Sequence, residues 1–188
     1  MKTLCCLVLA ALLCVPWQSA RAGFDDIGFS CVAKKIDEDV TSSGKESRKD
    51  SKGVEMGVAA KTEHWGYTIS LENKTFQPMT DLEVKYIVFY KQEQLGTKGP
   101  PREQRLSGSS TIKAIASHGK LAFDTDPVEL NKAHLMGASG SYTYFLNGAN
   151  PKAEDSLAGI WVRIYQNGKI VGEFTKPSNL ASKEKWDE

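Results

Sequence analysis

Beyond residue 23, apolar residues recur at every second position in one segment after another, and no run at helical spacing exceeds about two turns. Side chains of a strand alternate between the two faces of its sheet, so a chain written this way buries one face of each of many short strands. "GFSCVAKKI", Gly28 to Ile36, sets Phe29, Cys31 and Ala33 against Ser30, Val32 and Lys34. "VEMGVAA" places Val54, Met56, Val58 and Ala60 on one side, and "WGYTISLE" does the same with Trp65, Tyr67, Ile69 and Leu71, leaving Thr68 and Ser70 opposite. The change from even to odd positions predicts a turn or bulge across Lys61 to His64. "LEVKYIVFYK" carries Leu82, Val84, Tyr86, Val88 and Tyr90 on one face with Ile87 and Phe89 on the other, the pattern of a strand central to its sheet. Weaker strands follow at "RLSGSSTIKAI", "GKLAFDTD" and "SYTYFLNG". About eight or nine strands, spaced by turn signals every 8 to 12 residues, predict an all-β, two-sheet antiparallel sandwich, because one open sheet would leave its apolar faces wet.

The ends divide the chain. "MKTLCCLVLAALLCVPWQSARAG" reads as a signal peptide over 1–22: Lys2 is the positive start, Leu4 to Val15 the apolar stretch, and Ala20-Arg21-Ala22 the small-x-small cleavage site. That apolar run is shorter than the roughly 20 residues a membrane-spanning helix needs. The expectation is an exported protein, periplasmic or extracellular, with no membrane segment after cleavage. Residues 23–176 form the predicted sandwich domain and 177–188 a polar tail, free to fray, in which Leu180 and Trp186 are the large apolar residues. Removing Lys2 and Arg21 takes 24 basic against 23 acidic residues to 22 against 23. A net charge of −1, with signs interspersed, gives no electrostatic reason for a nucleic acid or anionic membrane partner. Cys5, Cys6 and Cys14 lie in the leader, so Cys31 is left without an intramolecular disulfide partner; pairing with a second chain is the alternative to a packed, inert thiol.

The most legible local structure is "GIWVRIYQNGKIVGEF", Gly159 to Phe174. Asn167-Gly168 between β-branched and aromatic runs is a strong hairpin signal, since both turn positions need positive φ. An unbroken two-residue turn pairs Tyr165 with Ile170, Arg163 with Gly172 and Trp161 with Phe174 on one face, and Ile164 with Val171 and Val162 with Glu173 on the other. Trp161, Arg163, Tyr165 and Phe174 then form an aromatic platform with one cation. Such platforms grip sugars, peptides or partner proteins. The competing reading covers the platform with the tail, Leu180 and Trp186 included, with Arg163 laid along the rings as a packing element.

"YTISLENKTFQPMTDLEVKYIVFY" and "IKAIASHGKLAFDT" resemble the paired strands and glycine-containing turns of immunoglobulin-like or fibronectin-III-like domains of exported bacterial proteins. The resemblance spans most of Trp65 to Phe174 and implies a fold without a catalytic motif. Independently of it, the residues nominate no catalytic group, metal ligand or cofactor. His64, His118 and His134 lack zinc spacing, and Asp124, Asp126 and Glu129, like Asp37, Glu38 and Asp39, lack the glycine and spacing of a calcium loop. "GASGSY", Gly137 to Tyr142, sits between strands rather than opening a helix, so it lacks the amide cluster that holds phosphate. "NKT", Asn73 to Thr75, matches a glycosylation acceptor. The functional expectation is a binding or accessory module, not an enzyme, acting on a protein or glycan through the aromatic platform or an open sheet edge. Two other classes compete: a self-associating structural protein of the cell envelope, and a hydrolase whose pocket would gather at least two of His64, His118, His134, Asp124 and Asp126.

Overall fold

A computed structural model describes residues 24–39, 48–49, 55–136 and 151–186. Residues 1–23, on which the expected signal peptide falls, most of the charged stretch Asp37 to Gly53, the glycine-rich stretch Gly137 to Tyr142 and the "SYTYFLNG" segment lie outside the described residues. After a 3-10 turn at Phe24–Asp26 come β1 (Ile27–Asp39), β2 (Arg48–Lys49), β3 (Glu55–Asn73), β4 (Met79–Gln92) and β5 (Arg102–Ile115). There follow β6 (Lys120–Asp124), β7 (Val128–Met136), β8 (Lys152–Glu154), β9 (Ser156–Gln166), β10 (Lys169–Lys176) and one helical turn, α1 (Leu180–Lys183).

These strands form two antiparallel sheets. In the six-stranded sheet β3 is the spine, with β1 and β2 along one side and β7 and β6 along the other, β8 flanking β7. The four-stranded sheet has the order β10-β9-β4-β5. The predicted all-β, two-sheet architecture is what the chain adopts. Alternation delivers Ile69 and Leu71 from one sheet, and Leu82, Val84, Val88, Ile160, Val162 and Ile164 from the other, into a shared interior where each is at most 1% exposed. Their burial is the main stabilising term, roughly 1.5–3 kcal/mol for each side chain. β4 is central, as its two apolar faces require: Leu82, Val84, Tyr86 and Val88 enter the main core, while Ile87 and Phe89 point outward into a second cluster.

Two features of the sequence reading are corrected. β3 runs unbroken through Lys61 to His64, in constant register with β7; the bulge lies in β1, between Lys35 and Asp37. The change of phase is not a break in the strand. Lys61 and Glu63 continue the inward series of Trp65 and Tyr67 with polar side chains, and Glu63 stays buried at 4% exposure. β7 and β8 were not anticipated, because "VELNKAHLM" mixes apolar and charged residues without clean alternation. The tail, read as free to fray or as cover for the aromatic face, packs Leu180 against the outer face of the four-stranded sheet, as the second reading has it.

Glu63 is held by three hydrogen-bond donors and one further cation. The Trp65 indole donates at 2.9 Å, and the ammonium groups of Lys61, Lys35 and Lys132 lie at 3.0, 3.2 and 3.6 Å. The indole hydrogen bond first, then Lys61, then Lys35 and Lys132, outweigh the cost of burial and pull the carboxyl from 4.5 down to about 2. A depressed folded-state pKa adds stability above the unfolded value and loses it as pH falls through the folded one. Urea midpoints should therefore fall between about pH 4.5 and 2 in the wild type, with that component absent in Glu63→Gln.

Candidate functional site

The hairpin turn forms as its sequence dictates, with Asn167 at φ 51° and Gly168 at φ 72°. Lys169 pairs with Gln166 and Ile170 with Tyr165 as expected. A bulge at Val171 then shifts the register by one, so Gly172 faces Ile164, Glu173 faces Arg163 and Phe174 faces Val162. The platform assigned to Trp161, Arg163, Tyr165 and Phe174 is therefore not assembled as expected. Phe174 turns inward and stacks on Phe29 at 5.8 Å between centroids, 12° between planes. The reason is electrostatic: the unbroken register would press the Glu173 carboxylate against fully buried Val162, and the bulge exchanges it for a phenyl ring. A glycine within a strand, Gly172, was the sequence signal for it.

Trp161, Arg163 and Tyr165 do share the outer face. Glu173 Oε1 accepts from Trp161 Nε1 at 2.9 Å and from Arg163 Nε at 2.6 Å. The guanidinium lies 5.1 Å from the Trp161 ring and 4.5 Å from the Trp186 ring, and the two indoles meet edge to face at 5.5 Å. Burial alone would lower the arginine's pKa, but Glu173, with a smaller contribution from Tyr165, outweighs it and the net shift is upward. Tyr165, with Lys85 Nζ 5.0 Å from its ring, buries its hydroxyl without a hydrogen-bond partner among the described residues. Trp161 keeps only 5% of its surface in contact with solvent. Leu180 packs with Ile87, Phe89 and Trp161, and Glu184 ties the tail to Arg105 at 2.5 Å. The tail thus occupies the face on which a ligand would have to sit.

Of the two readings of Cys31, the structure favours the packed, inert thiol over pairing with a second chain. Only 4% exposed on the inner face of β1, its thiol is raised from 9.0 to about 11 by burial, against a smaller lowering by Lys176. Reaching a second chain would require the sandwich to open. Asn73 is fully buried and its amide nitrogen donates to the carbonyls of Gln77, Ile115 and Ala116, which removes it as a glycan acceptor in the folded chain. The candidate acid–base residues are dispersed: Asp124 binds Lys34 and Thr68, Asp126 binds the Tyr86 hydroxyl, and His118 packs against Phe76. None of His64, His118, His134, Asp124 and Asp126 lines any of three clefts of about 240–250 Å³ among the described residues.

What the outer face leaves open is an edge. β5 is bonded to β4 through one continuous register from Arg102 to Ile115, and among the described residues no strand pairs with its other side. Sequence reasoning named an open edge without locating it, because strand order follows from tertiary packing.

No family model and no curated protein matches the chain. Among solved structures, a Northeast Structural Genomics Consortium target is 9% identical, over 81% of this chain and 86% of that one, with a TM-score of 0.32. A crystal structure from Akkermansia muciniphila is also 9% identical, over 82% and 73%, with a TM-score of 0.32.

Proposed function

We propose that the protein is a non-enzymatic, exported binding module of the immunoglobulin-like kind, and that it takes an extended segment of another protein as an added strand on β5. One contrast carries this reading. Open edges invite other strands, and proteins blunt them with bulges, lysines, prolines or short length. β1 has a bulge and Lys34-Lys35, β10 has a bulge, and β6 and β8 have five and three residues. β5 has 14 residues without a bulge, and its central stretch "LSGSSTI", Leu106 to Ile112, holds neither charge nor proline. An incoming strand would gain main-chain hydrogen bonds there, with small Ser107 and Ser109 side chains offering no obstruction. The tail over Trp161 disfavours the alternative, a glycan held on the aromatic face.

Phage-displayed random dodecapeptides, selected on the wild type and counter-screened on Ser107→Lys/Ser109→Lys, test the proposal. Both substitutions lie on the exposed side of β5, so folding should be unaffected. Selected peptides should lose at least about tenfold in affinity for the variant. Peptides that bind both proteins equally would refute strand addition at β5.

A further inference from the structure

Beside the open edge of β5 the sandwich itself is open. A cleft of about 250 Å³ spans the gap between the two sheets there, lined by Tyr90 and Gln92 of β4, Leu106 of β5, and Val128, Glu129 and Asn131 of β7. Leu106 marks the inward side of β5: it packs against the main core, Ile112 lies within that core, and alternation puts Gly108 and Ser110 on the same side between them. A strand added to β5 continues the alternation, so every second side chain of the newcomer also faces the gap between the sheets. The one beside Leu106 meets the cleft. The next, two residues or roughly 7 Å along, lies beside Gly108, where the end of the Tyr86 ring passes to Asp126.

Two carboxylates stand on this inward side. Glu129 is exposed and accepts a hydrogen bond from Asn131 Nδ2 at 3.4 Å; Asp126 is exposed and accepts from the neutral Tyr86 hydroxyl at 3.0 Å. Among the described residues no cation forms an ion pair with either. Arg102, which shares the inward side of β5, is four residues from Leu106, roughly 13 Å along the strand, and does not line the cleft.

Charge and shape together select the occupant. An acidic side chain would be repelled by Glu129, and an apolar one would strip water from that carboxylate and from the Gln92 amide without replacing it. A lysine or arginine instead lays its methylenes along Tyr90, Leu106 and Val128 and keeps its charged head in the wet mouth of the cleft beside Glu129. We infer that the segment taken up by β5 is basic at two inward positions two residues apart, one side chain seated in the cleft with Glu129 and the next beside Gly108 facing Asp126. The inference rests on strand addition at β5 and adds to it the chemistry of the partner, a basic-x-basic segment. The chain as a whole is nearly neutral, so such a preference reports these two carboxylates and not a general attraction for cations.

The dodecapeptides whose binding depends on β5 supply the test, through their sequences and through calorimetric titration of wild type, Glu129→Gln, Glu129→Lys and Asp126→Asn. Both positions are exposed, and asparagine at 126 keeps an acceptor for the Tyr86 hydroxyl, so the variants should fold as the wild type does. The peptides should be enriched in lysine or arginine at positions i and i+2. Their affinity should fall about fivefold for Glu129→Gln and for Asp126→Asn, and at least about tenfold for Glu129→Lys. Replacing the two basic residues of a peptide by glutamine should bring its affinities for all four proteins within about twofold of one another. Peptides that need β5 but lack the basic pair, or that carry it and bind Glu129→Lys as tightly as wild type, would overturn this inference and leave strand addition standing. A selection that yields no β5-dependent peptide would remove both.

Discussion

Asn73→Ala should cost about 3–4 kcal/mol of folding stability, read as a lower urea midpoint at unchanged slope. The side chain is fully buried and makes five hydrogen bonds, three donated to main-chain carbonyls on two different turns. A buried group stripped of its partner costs about 1–3 kcal/mol, and the part-buried carbonyls of Gln77 and Ala116 recover some of that from water. Asn73→Asp separates this account from a simple loss of volume. It keeps the acceptor toward Thr75 but points a carboxylate at three carbonyl oxygens, so it should be less stable than wild type at neutral pH and regain stability as acid protonates it.

Gly108→Ala should cost about 2–3 kcal/mol. Gly108 pairs with Tyr86 across β4 and β5, and the end of the tyrosine ring passes over it to reach the loop between β6 and β7 of the opposite sheet, where its hydroxyl donates to Asp126 Oδ2 and accepts from the Asp126 amide, both at 3.0 Å. A Cβ at position 108 would overlap the ring, with Tyr86 Cε2 at 2.7 Å and two further ring-end atoms nearer still. The ring cannot swing away without abandoning the bond that ties the sheets together. Tyr86→Leu removes both the obstruction and the bond. In a double-mutant cycle the pair should therefore be less destabilised than the two single effects summed, whereas a change confined to strand propensity would give additive values.

These two residues also mark where the sequence was legible. Period-two patterning was enough for the two-sheet fold, for β4 as a central strand and for the Asn167-Gly168 turn, because each depends on local φ preference or on which face is apolar. The position of Phe174 was not recoverable by counting back from the turn. One extra residue at Val171 inverts every later side chain, and what drives it is the cost of burying Glu173, a tertiary effect announced only by Gly172. The inward polar pair Lys61 and Glu63 misled in the same way, reading as a break in β3 when the strand runs on. Asn73 looked like a surface acceptor because its three-residue motif says nothing of the second turn, forty residues away, that its amide satisfies. For the site, the residues Trp161, Arg163 and Tyr165 and their tail cover of Leu180 and Trp186 were within reach, since an apolar outer face demands either a ligand or a lid. The open edge at β5 was not, because strand order is set by which faces pack together.

Amide hydrogen exchange along β5 is the most direct test of that edge. In an edge strand of an antiparallel sheet, every second amide points at the neighbour and is protected, and the ones between point at water. In the free protein, protection should alternate residue by residue from Arg102 to Ile115, while the stretches paired on both sides, Leu82 to Lys91 of β4 and Ile160 to Gln166 of β9, are protected throughout; with a selected peptide bound, the unprotected β5 amides should slow and the alternation vanish. Uniform protection of β5 in the free protein would mean that the edge is already covered, and would contradict strand addition as its function.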